Sequence, residues 1–319
     1  MRICSLPLLL LVAAPLAAQE IAPYVPVSPV LASRSPLYAQ PTITARPGWQ
    51  ARVVVDYTNA IEKGIATDRR ESLLDAELLQ VDLWLVRDLS PTVFVLGNVA
   101  LRGGYDGRLD GFLNWYHDLI GLPVPARNER PENEFAWDAE LPDGRTFTRA
   151  RPGTFLGDVR IGAGVRLGAR TQLTGTLVLP TATASEDDWG LGTIGTSVAL
   201  TTRLATTDRV VADAGLTVGT AAANGELAAY QRTTFVGGMA ALRWRFWGRQ
   251  ALYGTLFVQR SPWEGTGFAA WDDAEVTIDF GGFVHLGKGW PELQLGVTED
   301  LLPRGPAVDV GFKIGARLK

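Results

Sequence analysis

Two histidines, His117 and His285, are the only side chains of this 319-residue chain that titrate near neutrality when unperturbed. His117 stands in the run Tyr116-His117-Asp118. A histidine base could serve a lipid hydrolase if a hydroxyl or a bound water lay within hydrogen-bond reach. Ser185, Ser197 and Ser261 are available, but none sits in a recognisable nucleophile motif. The single cysteine, Cys4, lies near the N-terminus, so neither a thiol nucleophile nor a disulfide framework is expected of the mature chain. Carboxylates cluster at Glu186-Asp187-Asp188, Asp272-Asp273 and Glu299-Asp300. Oxygen-rich sets suit Ca²⁺ or Mg²⁺, but no metal-loop spacing is present, and a solvated acidic rim is the expectation. No catalytic residue, cofactor site or metal site is therefore assigned.

A second set of charges is spaced differently. Arg52 and Asp56, Asp82, Arg102, Asp158, Arg160 and Arg166, Arg203, Arg243 and Arg245, Glu275 and Asp279 each sit between apolar residues at every other position. The C-terminal run "AVDVGFKIGARLK" has the same form: Val308, Val310, Phe312, Ile314, Ala316 and Leu318 alternate with Asp309, Gly311, Lys313, Gly315 and Arg317. Period two puts one class on each face of a strand. A face of mixed sign inside a narrow barrel predicts a network of paired charges, because an unpaired charge there is costly.

The elements that carry these residues are twelve segments of alternating pattern, beginning near Trp49, Leu79, Val93, Val159, Gln172, Ile194, Val210, Val236, Leu252, Glu275, Glu292 and Val308. The face of the ninth, Leu252 to Val258, is ambiguous. Each approaches the ~9–11 residues a tilted strand needs to cross a bilayer. Tight connections such as "DLSP", "GAR" and "TTDR" alternate with long ones at 59–70, 103–153, 181–193, 219–232, 260–273 and 300–306. Short periplasmic turns and long extracellular loops are the form of a transmembrane β-barrel. A periplasmic β-sandwich also alternates, but its loops need not do so in length. In lipid the strands must close, leaving no edge. The expected fold is thus an all-β, antiparallel, up-and-down barrel of about twelve strands.

The opening "MRICSLPLLLLVAAPLAAQE" reads as a signal peptide cleaved after Ala18. Of 30 basic residues, loss of Arg2 leaves 29 against 34 acidic ones, a balance that does not suggest nucleic-acid binding. Residues 19–48 hold six prolines without periodicity and are expected to form a periplasmic arm, with the barrel over 49–319. The outer membrane of a Gram-negative-type cell follows as the expected location, with outer-membrane lipid, lipopolysaccharide and the barrel-assembly machinery as partners. The chain ends Leu318-Lys319 and not in the aromatic residue many such barrels carry, so that assembly feature is weak.

Within 103–153, Leu109, Phe112, Leu113, Tyr116 and Ile120 fall at helical spacing. A helix over 109–120 is expected to pack over or into the extracellular mouth, as a lid or as a brace. At the other end, threading the topology points Trp84, Phe94, Trp247, Tyr253 and Phe283 inward near the periplasmic mouth. Large rings there would form a constriction that excludes water, and the arm could seal it further. A one-residue slip would instead turn some of them to the interface.

The run "DGFLNWYHDLIGLPVPARNERPENEF" (residues 110–135) resembles one block of a Gram-negative outer-membrane family catalogued as domain of unknown function 3187. "GDVRIGAGVRLG", "LVLPTAT", "WGLGTIGTSVAL" and "LGVTEDLLPRGPAVDVGFKIG" resemble its other blocks, in the same order, over roughly residues 47–319. The resemblance implies an outer-membrane barrel and supplies no catalytic residue. A narrow channel for small solutes is the leading expectation. A closed structural or interaction barrel, working through its loops or arm, is the alternative, and an outer-membrane lipid hydrolase comes third.

Overall fold

The structure, a computed structural model, describes residues 43–121, 125–184, 187–302 and 309–318. The expected signal peptide and most of the expected arm lie outside the described residues, as does Ser185. Among the described residues no helix is long and apolar enough to cross a membrane.

Fifteen strands follow one another: β1 (Trp49–Ile65), β2 (Glu71–Asp88), β3 (Val93–Tyr105), β4 (Ala136–Glu140), β5 (Thr146–Thr148), β6 (Gly153–Leu156), β7 (Val159–Arg166), β8 (Thr171–Leu179), β9 (Gly195–Thr206), β10 (Val210–Ala221), β11 (Thr234–Trp247), β12 (Gln250–Gln259), β13 (Glu275–His285), β14 (Glu292–Asp300) and β15 (Val310–Leu318). Twelve of them form the wall, each antiparallel to its sequence neighbours, with the short β6 preceding β7 beside β3. β1 pairs with both β2 and β15, so the sheet is closed. The remaining pair, β4 and β5, is a hairpin within the longest loop, joined to the upper part of β2. The fold is that of an outer-membrane β-barrel.

Alternation sets the two faces. On β1, Arg52, Val54, Asp56 and Thr58 are buried toward the lumen, while Trp49 and Val53 to Tyr57 at odd positions face out. Outward leucines, valines and tryptophans on the other strands form a continuous lipid-facing band. The ninth wall strand, β12, resolves its ambiguity with Tyr253, Thr255 and Phe257 inward and Leu252, Leu256 and Val258 outward. Both its faces are apolar, which is why alternation alone did not separate them. Glycines make room where inward rings cross the wall: a Cβ on Gly164 would lie 2.1 Å from the ring of Phe94.

Two loops differ from expectation. Residues 59–70 are not a loop throughout, since β1 continues to Ile65 and β2 starts at Glu71, making a hairpin that rises above the lipid-facing band. The 103–153 segment carries the β4–β5 hairpin as well as helices α1 (Asp110–Ile120) and α2 (Pro125–Asn128). A further short helix, α3 (Ala269–Asp272), lies in the loop before β13.

Candidate functional site

The charges of the wall meet inside the lumen. Lys313, from β15, lies 2.6 Å from Asp279 of β13 and 3.6 Å from Asp56 of β1, and all three are buried. Tyr253 donates to the second oxygen of Asp279 at 3.2 Å. Arg203 grips Asp213 with two bonds of 2.8 and 3.1 Å, the bidentate form that gives such pairs direction as well as strength. Asp82 accepts from Asn98 at 2.9 Å and from Gln80. Arg102 and Arg160 lie close enough to Asp82 to act on its charge. Asp158 accepts the backbone N–H groups of Thr181, Ala182 and Leu191, and so holds the β8–β9 loop against the wall. Glu275 is satisfied by Thr277 at 2.5 Å and by Gln259. Arg245 is half-buried at the periplasmic rim and donates to the carbonyl of Asp208 in the β9–β10 turn.

The periplasmic aromatics divide into two groups. Trp84 and Phe94 pack with Leu96 on β2 and β3, while Tyr253 and Phe283 pack with Ala251 on β12 and β13, their ring centroids 5.0 Å apart. Trp247 corrects the expectation: it is 76% exposed and does not enter the lumen. The cause is a register shift between Arg245 and Trp247, where Arg245 faces Ala251 but Trp247 faces Gln250. One extra residue reverses the facing of the strand beyond it, so Phe246 and Trp247 both turn outward.

Three of the four inward rings are covered by guanidinium groups, a feature alternation did not disclose. Arg166 stands 4.8 Å over Phe94, Arg160 5.5 Å over Trp84 and Arg243 3.9 Å over Phe283. Such stacking in a desolvated place is worth about 2 kcal/mol each. Arg243 also pairs with Glu292 at 2.7 Å, and Arg166 with Asp88 at 2.6 Å.

The described end of the arm enters this mouth. The N–H of Ile43 donates to Gln172 at 2.9 Å, and its carbonyl accepts from Arg166 at 3.2 Å. Its side chain packs against the Trp84, Phe94 and Leu96 group. Thr44 accepts from Gln50 and Arg203, and the N–H of Arg46 donates to Asp88 at 2.6 Å. Residues 43–46 therefore reach from β1 to side chains on β2, β7, β8 and β9.

The extracellular mouth is closed by different material. Trp137 and Phe147 of the hairpin, Trp189 of the β8–β9 loop, and Trp263, Phe268 and Trp271 of the β12–β13 loop form one buried cluster against Ala60, Leu74, Ala76 and Leu78 of the wall. Trp137 and Trp189 meet at 5.0 Å and Phe147 and Trp271 at 5.8 Å between centroids, both edge to face. This cap was missed from sequence, although five tryptophans within three long loops, four of them in the cap, were a legible sign that those loops pack together.

The acidic clusters are solvated only in part: Asp273 is exposed, but others are held by the loops. Asp188 is buried and paired with Arg149, and Asp272 accepts from Thr266 at 2.9 Å and the N–H of Gly267 at 2.9 Å. Glu186 lies outside the described residues. Among the described residues no group of three or more potential ligands is placed to hold a metal ion. Ser197 bonds Thr176, and Ser261 bonds the Trp271 carbonyl, so neither hydroxyl is directed at a histidine. His285 meets Glu292 at 2.7 Å near the periplasmic end.

Helix α1 forms as expected, with Leu109 at its N-cap, but it does not cover the mouth. Its buried residues Asp110, Leu113 and His117 recur at helical spacing, whereas Phe112, Trp115 and Leu119 are exposed and Tyr116 is half-buried. The side chain of Ile120 lies outside the described ones. Asp110 accepts from Asn59 at 3.1 Å and pairs with Arg127 at 3.0 Å, and His117 lies 3.6 Å from Asp309. Asn59 and its cross-strand neighbour Glu77 occupy outward-facing positions of β1 and β2, yet both are fully buried. The loop therefore folds down the outside of the wall. Polar groups on both sides decide this: Asn59, Asp75 and Glu77, on outward rows at and above the edge of the apolar band, are buried under the loop and bonded to it.

A solved structure of similar fold is the COG4313 outer membrane channel from Pseudomonas putida F1, 14% identical with a TM-score of 0.52, covering 86% of this chain and 96% of that one. The toluene transporter TodX of Pseudomonas putida aligns over 94% of this chain and 98% of its own, at 9% identity and a TM-score of 0.42. No curated protein matches the chain in sequence. The profile of the family described as "Protein of unknown function (DUF3187)" matches residues 26–319, and the chain belongs to that family.

Proposed function

We propose that this barrel is a narrow channel for small solutes, closed at rest at both ends by segments that are not part of its wall. The observation that carries the reading is the placement of Ile43. An arm residue is held in the periplasmic mouth by polar lumen side chains, Gln172 and Arg166, that would otherwise face water. The extracellular cap is likewise built of loop residues packed on one another. Between them the lumen is lined by paired charges of both signs, which favours weak ion selectivity and does not favour a dry packed core. Solutes passing it are expected to be small and polar enough to exchange hydrogen bonds with that lining. The conductance of single barrels in planar bilayers tests the reading. Intact protein should conduct little, and removal of residues 19–46 should raise conductance severalfold. A barrel that stays silent after arm removal and after disruption of the Trp137–Trp271 cap would instead be a closed structural barrel.

A further inference from the structure

The outward surface of β1, β2 and β3 changes chemistry within two rows. Below the change, outward residues are Val53 and Val55, Val81 and Leu83, Val99 and Leu101. Tyr57, Leu79 and Gly103 then stand side by side, and the next outward row is Asn59, Glu77 and Tyr105. Tyr105 leans back over Gly103, where a Cβ would lie 2.3 Å from its hydroxyl, and that hydroxyl bonds Thr154 at 2.7 Å. Two tyrosines thus mark the upper limit of the apolar band, the level at which amphipathic rings meet lipid headgroups.

Helix α1 lies at the same level. Its exposed Phe112 is 6.1 Å from Phe312, an outward residue of β15, so its apolar side continues the lipid-facing band. Beside the helix opens a cavity of about 450 Å³, lined by Tyr57, Tyr105, Asp106, Arg108, Asn133 and Arg151. The carboxylates around it are engaged. Asp106 pairs with Arg151, and Asp110 pairs with Arg127. Glu77 accepts from Tyr57, from Asn59 and from the N–H of Leu109. Arg108, exposed at the cavity, makes no ion pair with a described residue. The lining therefore sets two guanidinium groups, Arg108 and Arg151, beside the Asp106 carboxylate, with Glu77 behind Tyr57, and tyrosines border it on the lipid side.

We propose that this cavity binds a phosphorylated glycolipid headgroup of the outer leaflet. Arg108 and Arg151 meet the phosphate, and Tyr57 and Tyr105 lie against the sugar where it joins the acyl chains. Guanidinium groups suit phosphate because their donors match its oxygens in pairs. Continuity with the lipid band selects a lipid over a soluble anion. The inference depends on outer-membrane placement but not on conduction, so it stands or falls apart from the channel reading.

Native mass spectrometry of the whole mature barrel, supplied with bisphosphorylated lipid A, dephosphorylated lipid A or inorganic phosphate, tests it. Wild type should retain the bisphosphorylated lipid about tenfold better than the dephosphorylated one, the size expected of one charge-assisted contact. Arg108→Ser combined with Arg151→Gln should abolish that preference while leaving heat-modifiable migration unchanged. Arg108→Ser alone, which removes no ion pair with a described residue, should lower it in the same direction. Equal retention of the two lipids by wild type, or an undiminished preference in both variants, overturns the proposal. Displacement of the lipid by millimolar inorganic phosphate would show a free-anion site and overturns it as well.

Discussion

The N–H of Ile43 and the side-chain oxygen of Gln172 are 2.9 Å apart across the periplasmic mouth, so β8 holds a residue that precedes β1. Gln172 is buried and its cross-strand partner on β7, Arg166, holds the Ile43 carbonyl. Gln172→Ala with Ile43→Gly removes both the bond and the side chain that fills the Trp84–Phe94 group. The open fraction of single barrels in planar bilayers should rise toward that of the arm deletion. No rise would place closure elsewhere.

Trp247→Ala separates the observed register from simple alternation. Because Trp247 faces outward, conductance should stay at the wild-type level, whereas Phe94→Ala should increase it. The bilayer recording of both variants is the check. An opening caused by Trp247→Ala would contradict the bulge at Arg245–Trp247.

Lys313 is the cation between Asp279 and Asp56. Lys313→Met leaves two buried carboxylates facing each other and should cost about 3–5 kcal/mol, the range for removing one partner of a buried pair. Unfolding in urea, followed by the gel shift between folded and unfolded barrel, measures it. Adding Asp279→Asn to Lys313→Met should recover part of the loss, since one buried charge is then removed.

Trp271 touches Trp137, Phe147, Trp263 and Phe268. Trp271→Ala should destabilise the cap by about 3–5 kcal/mol as a large ring is lost from a packed core. Proteolysis of intact cells or proteoliposomes should then cut within 136–148 or 260–273 faster than in wild type. An unchanged digestion pattern would mean the loops hold without that ring.

Above the lipid-facing band, burial raises Glu62 to about 8, with Asp300 adding repulsion. Burial, with repulsion from Asp309 and Glu299, raises Asp300 to about 7. A carboxyl whose folded value exceeds its unfolded value binds more protons when folded, so stability falls as pH rises through that window and levels beyond it. Glu62→Gln should therefore be more stable than wild type at pH about 8.5 and nearly equal to it at pH about 5, against an ordinary carboxylate near 4. Thermal midpoints at the two pH values check the sign. A Glu62→Gln gain larger at the acidic end would refute it.

The wall was legible in sequence because its signal is repetitive: Val53, Val55 and Tyr57 face lipid only if Arg52 and Asp56 face the lumen. Pairing of Arg203 with Asp213 followed from the need to neutralise inward charge, though its partner could not be named. The hidden features depend on departures from period. Trp247 was misplaced by one inserted residue, which costs nothing in composition. Helix α1 was visible, but its destination was not, because its apolar arc suits a mouth or a membrane equally. Outward Asn59 and Glu77 carried the missing information: polar residues that continue an outward row past the apolar band mark where a loop can dock. The closure of the mouth by Trp137, Trp189 and Trp271 rests on contacts between loops distant in sequence, for which alternation offers no rule.

The seam between β1 and β15 has a temporal side. Ala51 pairs with Leu318 and Asn59 with Val310, so the earliest strand waits for the last one to arrive. Until then β1 has a partner only in β2 and its other edge is bare, open to pairing with any available strand. Every intermediate on the way to the membrane is an unsealed sheet with its backbone groups unmet, which lipid does not tolerate. Whatever escorts the chain must shield both edges until residue 318 is delivered, and the shield departs only when the first strand finds the last.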